Sequence, residues 1–417
     1  MSKAGADFDI VIAGGGMIGS SLAAALESLD LRVAMVEAVA RGSGEQPSFD
    51  ERSTALSRST QRSFEAIGLW EDIAAASTPI ARIHVSDKGR FGFAHIDAAE
   101  QGVEALGYVC INRVLGTVLA ATLEEARNLR QYCPARIVGV RHGTDSVTVT
   151  VRHADGGEEH LDARLLIVAD GARSTVRDML GISVQHSDYG QKAITGNLLT
   201  ELPNEGCAYE RFTESGPIAM LPITNGRTAF VWIAEAREAS RLAELDDAEF
   251  IAELQAAFGY RLGGLSRVGL RSAYPLALSR AVRLSANRAV LVGNAAHGLH
   301  PVAAQGFNLG MRDVAALCDC IADALDKDPD ADIGALSILN RYAAWREPDQ
   351  QKLVSFTDGL VRLFGSRRDS VRVLRNLGML GFDLIPGVRR TFARHTMGLA
   401  GRLPRLARGL PLRSPPR

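Results

Sequence analysis

An α/β fold is predicted: a Rossmann-like dinucleotide-binding domain that carries an inserted mixed-sheet domain and ends in a helical segment. Three observations predict it. The chain opens on a strand, a glycine turn, a helix, a second strand and an acid, all within residues 8–37. Apolar strands that break into glycine-containing turns recur far downstream, at Leu165–Ala169 and Ala289–Val292. Between these two, residues 190–275 change to short alternating strands separated by Gly, Pro and Asn.

Phe8 to Ala13 is an apolar run with β-branched residues, as a buried strand requires. Gly14-Gly15-Gly16-Met17-Ile18-Gly19 fits G-x-G-x-x-G, and Ser20 to Leu29 continues as a helix of small residues. A second strand, Arg32 to Val36, ends in Glu37. The first glycines make the tight turn and let backbone approach a pyrophosphate. Gly19 permits close helix–strand packing, and the acid binds a ribose hydroxyl pair. A carboxylate there disfavours a 2′-phosphate, so FAD or NAD is expected ahead of NADP.

A Gly/Ser/Pro-rich surface loop, 41–49, precedes Asp50-Glu51-Arg52 and a helix ending near Trp70. Arg52 could reach a pyrophosphate or flavin edge, or be a solvated surface charge. Alternation between Ile80 and Ile96 predicts a hairpin of a second sheet, and Asn112-Arg113 opens a helix to about Ala126. Ile137 to Leu161 reads as an antiparallel meander. Leu165–Ala169 then leads into Asp170-Gly171, a carboxylate and a glycine at the carboxyl end of a parallel strand. Strands are expected near Lys192–Leu199, Ala208–Phe212, Ile218–Pro222 and Thr228–Ile233, and a helix over Asp246–Phe258. Tyr274-Pro275 is read as the return to the first domain.

No Asp, Glu, Lys or Arg occurs from Ala289 to Met311. A membrane span is nevertheless not expected there, because glycines, prolines, amides and two histidines would leave polar groups unsatisfied in lipid. A strand to Val292, a turn at Gly293 and a helix from Gly306 to about Leu325 instead make a cradle for developing negative charge. His297 and His300 lie three apart, but no neighbouring Cys, Asp or Glu completes a ligand set, so no metal is expected.

At 417 residues, 46% hydrophobic and 23% charged, the chain is ordinarily globular, with two domains the soft expectation. Its net charge of −1 hides an asymmetry: eight arginines and no acid follow Asp383, which leaves −9 on residues 1–383. An acidic body does not suit nucleic acid. The basic tail, Gly381 to Arg417, suits either docking to an anionic membrane or partner subunit, or packing on the body with a solvated basic face. Five scattered cysteines imply no disulfide framework, and no signal peptide or transmembrane helix is read. A cytoplasmic protein is expected, peripheral to the inner membrane if the tail docks there.

Gly14-x-Gly16-x-x-Gly19, Asp170-Gly171 and Gly293-Asn294 followed by His300-Pro301 resemble, in that order, the FAD-dependent aromatic hydroxylases of the p-hydroxybenzoate hydroxylase fold. Phe212-Thr213-Glu214-Ser215-Gly216-Pro217 through Pro222 and His300-Pro301 through Gly310 are similar to the ubiquinone-biosynthesis hydroxylases within it. Gly293-Asn294-Ala295-Ala296 and Phe356-Thr357-Asp358-Gly359-Leu360 look most like the 2-polyprenyl-6-methoxyphenol hydroxylase branch. Two positions depart from the wider pattern: Asn294 stands for its Asp and Ala304 for its Gly.

The resemblance implies a glutathione-reductase-type FAD-binding domain from 1–75, 110–185 and 276–345. It implies a substrate domain from the hairpin 76–109 and the sheet 186–275, and a helical, basic segment at 346–417. Gly14, Gly16, Gly19 and Glu37 would hold the ADP half of FAD, and Arg52 and Arg113 its phosphate or ribityl region. Asp170 and Gly171 would sit by the pyrophosphate and meet NADPH. Gly293 and Asn294 would bind ribityl. Pro301 and the backbone of Gln305, Gly306, Phe307 and Asn308 would lie against the isoalloxazine, with His300 and Pro301 positioning that side.

The implied reaction uses NAD(P)H and O2 to form a flavin C4a-hydroperoxide, which hydroxylates a lipophilic polyprenyl-phenol in ubiquinone biosynthesis. Partner proteins of that pathway and a membrane surface are implied with it. A base that activates the phenol is expected, and none is assigned. Two alternatives stand: a catalytically silent flavin-binding subunit of a lipid-biosynthesis assembly, motivated by Ala304 and the tail, or another monooxygenase or epoxidase of the same fold. The absence of Trp-x-Trp-x-Ile-Pro around Trp232 counts against a halogenase.

Overall fold

Ile10, Val11 and Ile12 are fully buried, as a strand covered on both faces must be, and a parallel sheet is built outward from them. The computed structural model describes residues 6–40, 43, 50–89, 93–298, 305–365 and 385–413. The chain begins with β1 (Phe8–Ala13), α1 (Met17–Leu26) and β2 (Val33–Val36). It continues through β3 (Ser53–Ser57), α2 (Arg58–Ala66), α3 (Trp70–Ala75), β4 (Ser77–Ile80), β5 (Arg82–Asp87), β6 (Phe93–Asp97) and β7 (Gly107–Ile111). Then come α4 (Asn112–Glu125), β8 (Leu129–Tyr132), β9 (Ala135–His142), β10 (Val147–His153), β11 (Glu158–Val168) and α5 (Thr175–Met179). The second half starts with β12 (Val184–Thr200), β13 (Cys207–Phe212), β14 (Pro217–Pro222), β15 (Arg227–Glu235), α6 (Ala236–Glu244) and α7 (Asp247–Phe258). It ends with β16 (Leu265–Ser266), β17 (Ser272–Ala281), β18 (Ser285–Ala286), β19 (Ala289–Leu291), β20 (His297–Gly298), α8 (Gly306–Lys327), α9 (Leu336–Gly365) and a C-terminal helix, Pro386–Thr396.

Among the described residues the strands form three sheets. In the first, the order β19-β11-β1-β2-β8 is parallel throughout, so five carboxyl ends share one edge. The chain leaves β1 toward β2 on one side and returns through β11 on the other. This makes the gap at Gly14 the switch point where such sheets take ligands. The second sheet runs β20-β17-β12-β15-β14-β13-β5-β6, and β3-β7-β4 form a small third one.

Several elements differ from their expectation. The meander and the strand after it are one element: β11 pairs antiparallel with β10 through its first half and parallel with β1 through its second. β12 extends over 17 residues, and β17 keeps pairing with it as far as Ala281, past Tyr274-Pro275. β3 and α6 were not anticipated, because each is short and flanked by stronger signals.

Residues 385–413 return to the body. Ala393 and Met397 are buried with Val109 and Ala208, so this segment bridges the small third sheet and the second sheet. Ser59 N donates to Met397 O at 3.1 Å. Arg405 pairs with Asp323 at 2.5 Å and lies 3.6 Å from Asp319, and Arg402 stacks over Trp345 at 4.2 Å. These contacts support the packed reading for 385–413. Residues 381–384 and 414–417 of the tail lie outside the described residues. Deleting everything after residue 384 should therefore cost on the order of 5 kcal/mol, since Ala393, Met397, Leu406, Ala407 and Leu412 lose their burial. Thermal melting checks this, and an unchanged midpoint would contradict it.

Candidate functional site

The glycine turn is shaped by what surrounds it. Gly14 has φ +99°, and a Cβ there would meet Ala169 O at 2.6 Å. A Cβ on Gly19 would overlap Gly14 O, so α1 sits directly on the turn. Gly16 is the N-cap of α1 and supplies no capping side chain, which leaves the first-turn N–H groups without a partner from that residue.

Glu37, at the carboxyl end of β2, lies alongside. Its Oε2 accepts from Gly15 N at 2.6 Å and its Oε1 from Val39 N at 2.7 Å. The acid expected to hold a ribose therefore also ties the turn to the next strand. Asp170 stands at the end of β11, where Oδ2 accepts from Val176 N at 3.3 Å and Oδ1 is buried without a partner among the described residues. Burial pushes its carboxyl above the usual range, against the pull of a Ser174 hydrogen bond. Gly171 beside it has φ +88° and open space where a Cβ would stand.

Arg52 bonds Asp50 at 2.5 Å and lies over the Tyr274 ring at 5.3 Å, which brings β17 of the second sheet against the loop before β3. Arg113 is exposed and pairs with Glu51 at 2.5 Å. Backbone bonds Asn112 N to Arg52 O and Arg113 N to Asp50 O hold the two arginines' segments together.

Gly293 follows β19 with φ +59°, and Asn294 next to it is exposed. The support under this turn was not read from the sequence. Asp313, on α8, is fully buried and accepts from four groups: His297 Nε2 at 2.6 Å, Arg346 Nε at 2.7 Å, Gln350 Nε2 at 3.1 Å and Gly293 N at 3.2 Å. Arg346 Nη1 also reaches Asp349 at 2.7 Å, and Asp349 takes Arg312 at 3.0 Å. Burial alone would raise the Asp313 carboxyl; His297 and Arg346 outweigh it and hold the group well below the usual range. A carboxylate does stand beside His297, sixteen residues away in sequence. Among the described residues, no cluster of three or more His, Cys, Asp or Glu is placed to hold a metal. The available signal was Arg312-Asp313 itself, a charged pair within the apolar first half of the helix, which demands a buried partner.

α8 begins against the same turn. A Cβ on Gly310 would come within 2.6 Å of Ile18 Cδ1 and 3.2 Å of Gly293 Cα. Its N-cap, Gln305, makes no side-chain cap, and Gly306 has open space where a Cβ would stand. Gln305 Nε2 donates to Thr396 O at 3.3 Å. Phe307 stacks on Phe64 at 6.4 Å. The Asn308 side chain is spent on packing: it accepts from Ser57 N and Thr60 Oγ1 and donates to Ala55 O, each at 2.8 Å. His300, Pro301 and Ala304 lie outside the described residues.

The structure thus gathers Gly14–Gly19, Glu37, Asp170-Gly171, Gly293-Asn294 and the start of α8 along one edge. These residues fit FAD. Glycines stand where backbone packs too closely for a side chain and where space is left open; among the described residues Asp170 Oδ1 is a buried carboxylate oxygen with no partner, and the N-cap of α8 supplies no capping side chain. Glu37 and the α1 turn would hold the adenosine and pyrophosphate, and the Gly293 turn and α8 the flavin half.

Fold and site define a flavin-dependent oxidoreductase of the class whose FAD-binding-domain profile matches residues 7–357. The chain is 38% identical over 416 residues to ubiquinone hydroxylase UbiL of Rhodospirillum rubrum, covering 97% of this chain and 93% of that one. It is 30% identical over 397 residues to the 3-demethoxyubiquinol 3-hydroxylase of Escherichia coli, covering 94% and 98%. The crystal structure of p-nitrophenol 4-monooxygenase from Pseudomonas putida shares the fold, with a TM-score of 0.77 at 19% identity over 94% of this chain and 98% of that one. The chain belongs to the FAD-dependent hydroxylase family of ubiquinone biosynthesis.

Two substitutions test the site. Gly16→Asp should abolish flavin retention, because it puts bulk and negative charge where a pyrophosphate would approach; a variant that purifies fully yellow would remove the assignment. Asp313→Asn should destabilise the protein by ~3 kcal/mol at neutral pH, because it leaves Arg346 buried beside a neutral amide. A carboxyl with a depressed folded pKa contributes stability above its unfolded value of about 4 and loses it as pH falls toward the folded value. The gap between wild type and variant should accordingly narrow below about pH 4, as denaturant titrations at several pH values would show.

Proposed function

We propose that this chain is an FAD- and NAD(P)H-dependent monooxygenase that hydroxylates the ring of a lipophilic polyprenylated phenol in ubiquinone biosynthesis. The observation that carries the reading is the flavin-fitting edge set against an apolar face of a second sheet. On that face Val231, Ala193, Ile233, Leu276 and Tyr274 cluster, and Tyr274 meets Arg52 of the first domain. The two relatives named as ubiquinone and demethoxyubiquinol hydroxylases support the substrate class.

FAD, when bound, would accept a hydride from NAD(P)H and activate O2 for transfer of one oxygen atom to the ring. The protein's part is placement and solvent control. The N-terminus of α8, a 22-residue helix whose N-cap side chain makes no cap bond, would present N–H groups and positive dipole toward negative charge on the ring system. The Asp313 cluster fixes the Gly293 turn from below. Asp170 Oδ1 is free to accept from a ribose or an amide of either nucleotide. The apolar sheet face excludes water, which would otherwise divert activated oxygen to peroxide. Residues 76–109 and 186–275 act here as the substrate floor. Among the described residues no helix is long and apolar enough to cross a membrane, so a lipid-borne substrate would be met from the surface, with help from the exposed arginines Arg390 and Arg394 near the C-terminal helix.

Purified protein should carry a flavin spectrum and oxidise NAD(P)H faster when a prenylated methoxyphenol is present, and mass spectrometry should find one added oxygen on the ring. Flavin-loaded protein that yields no such product with delivered substrate would overturn the reading in favour of a silent subunit.

A further inference from the structure

One titratable group on the apolar face of the second sheet has no hydrogen-bond or ion-pair partner among the described residues. Glu210 lies in β13, in register with Val85 of β5 and Ala219 of β14. Ala219 in turn faces Val231 of β15, and Val231 faces Thr195 of β12. Directly paired residues share a face of the sheet, so Glu210 stands in a row of small, mostly apolar side chains. Strand alternation fixes which face this is. Ala208, two residues earlier, is buried with Val109 of the small third sheet and with Ala393 and Met397 of the C-terminal segment. Tyr209, between them, points the other way and packs edge-on against Phe258 at 5.9 Å. Glu210 therefore looks toward the flavin-binding domain, from the same face that carries Val231, Tyr274 and Leu276.

Among the described residues no donor and no cation reaches its carboxylate. Charged groups on the elements around it are engaged elsewhere: Arg389 of the C-terminal helix pairs with Glu100 at 3.3 Å, Arg52 with Asp50, and Asp358 of α9 accepts from Tyr189. Asp87 lies two residues beyond Val85, in register with Phe212. Burial alone pushes the Glu210 carboxyl up to about 7. A structural role would have given it a hydrogen-bond partner, because a half-buried acid in apolar surroundings is otherwise costly.

We infer that Glu210 is the base that accepts the ring-hydroxyl proton of the bound phenol. The assignment rests on the hydroxylase reading and supplies the activating group that such a reaction needs. In the step, the phenol O–H bond breaks and a carboxyl O–H bond forms. The electron pair stays on the phenol oxygen and enriches the ring carbon that receives oxygen from O2. NAD(P)H remains the reductant, and the proton leaves Glu210 to solvent after product departs. Burial among apolar side chains places the acid where one proton can be exchanged near neutral pH.

The test compares wild type and Glu210→Gln as FAD-loaded proteins on a prenylated methoxyphenol, measuring hydroxylated product from about pH 5 to about pH 10. Wild-type turnover should rise with pH through about 7, as the carboxylate form appears. The variant should keep its flavin, lose about 10²-fold in product formation at neutral pH, lack that acid limb, and recover as the free phenol ionises nearer pH 10. Glu210→Asp, which keeps the carboxylate, should retain the limb at a lower rate. A flavin-loaded Glu210→Gln with wild-type rate and profile would overturn the assignment and leave the hydroxylase intact. Flavin-loaded wild type with no product would overturn both. An infrared pH titration gives an answer without turnover: a protonated-carboxyl band lost near pH 7 in wild type and missing in Glu210→Gln is expected, and its absence from wild type would equally refute the assignment.

Discussion

The buried Asp313 carboxylate is the point on which the Gly293 turn depends. Four donors converge on it from the turn after β19, from β20 and from α9, so one charge on α8 fixes three other segments relative to each other. Its cost of burial is offset only because Arg346 and His297 surround it, and Arg346 is in turn shared with Asp349. An apolar replacement of the whole cluster could pack as well. It would not position the Gly293 N–H, and so would not fix the turn whose neighbour, Asn294, faces the edge.

Where the Asp313 cluster fixes the Gly293 turn, close packing fixes the Gly14–Gly19 turn. Gly14 against Ala169, Gly19 against Gly14, and Gly310 against Ile18 and Gly293 are contacts that a single methyl group would disturb. They bring α1, β11 and α8 together at one point. Packing at that density transmits displacement, so substitutions far from any ligand, in the lower turns of α1 or α8, should be felt at the edge.

Local chemistry was legible in the sequence, and cross-chain geometry was not. The glycine turn, Glu37, Asp170-Gly171 and the opening of α8 each announce themselves within a few residues, because a tight turn and a strand end impose local composition. The partnership of Asp313 with His297 and Arg346 spans sixteen and thirty-three residues and has no local signature. The second role of Glu37, accepting from Gly15 N, needs the turn to be folded before it can be seen. Glu210 lies two residues before the Phe212–Pro222 stretch that carried the family resemblance, and alternation alone says only that it opposes Tyr209. Which side faces the flavin domain follows from the segment around Ala393 and Met397, nearly two hundred residues later. That same segment was expected either to dock outward or to pack inward, and its buried alanine and methionine show the packing.

The most direct measurement is a crystal structure of the chain with FAD and a substrate analogue. The account predicts the adenosine ribose at Glu37 and the pyrophosphate at Gly14–Gly19 beside Asp170. It predicts the isoalloxazine between the start of α8 and the sheet face bearing Glu210, with the phenol oxygen within hydrogen-bond distance of that carboxylate. A flavin bound away from this edge, or a phenol held on the opposite face of the second sheet beside Tyr209 and Phe258, would contradict it.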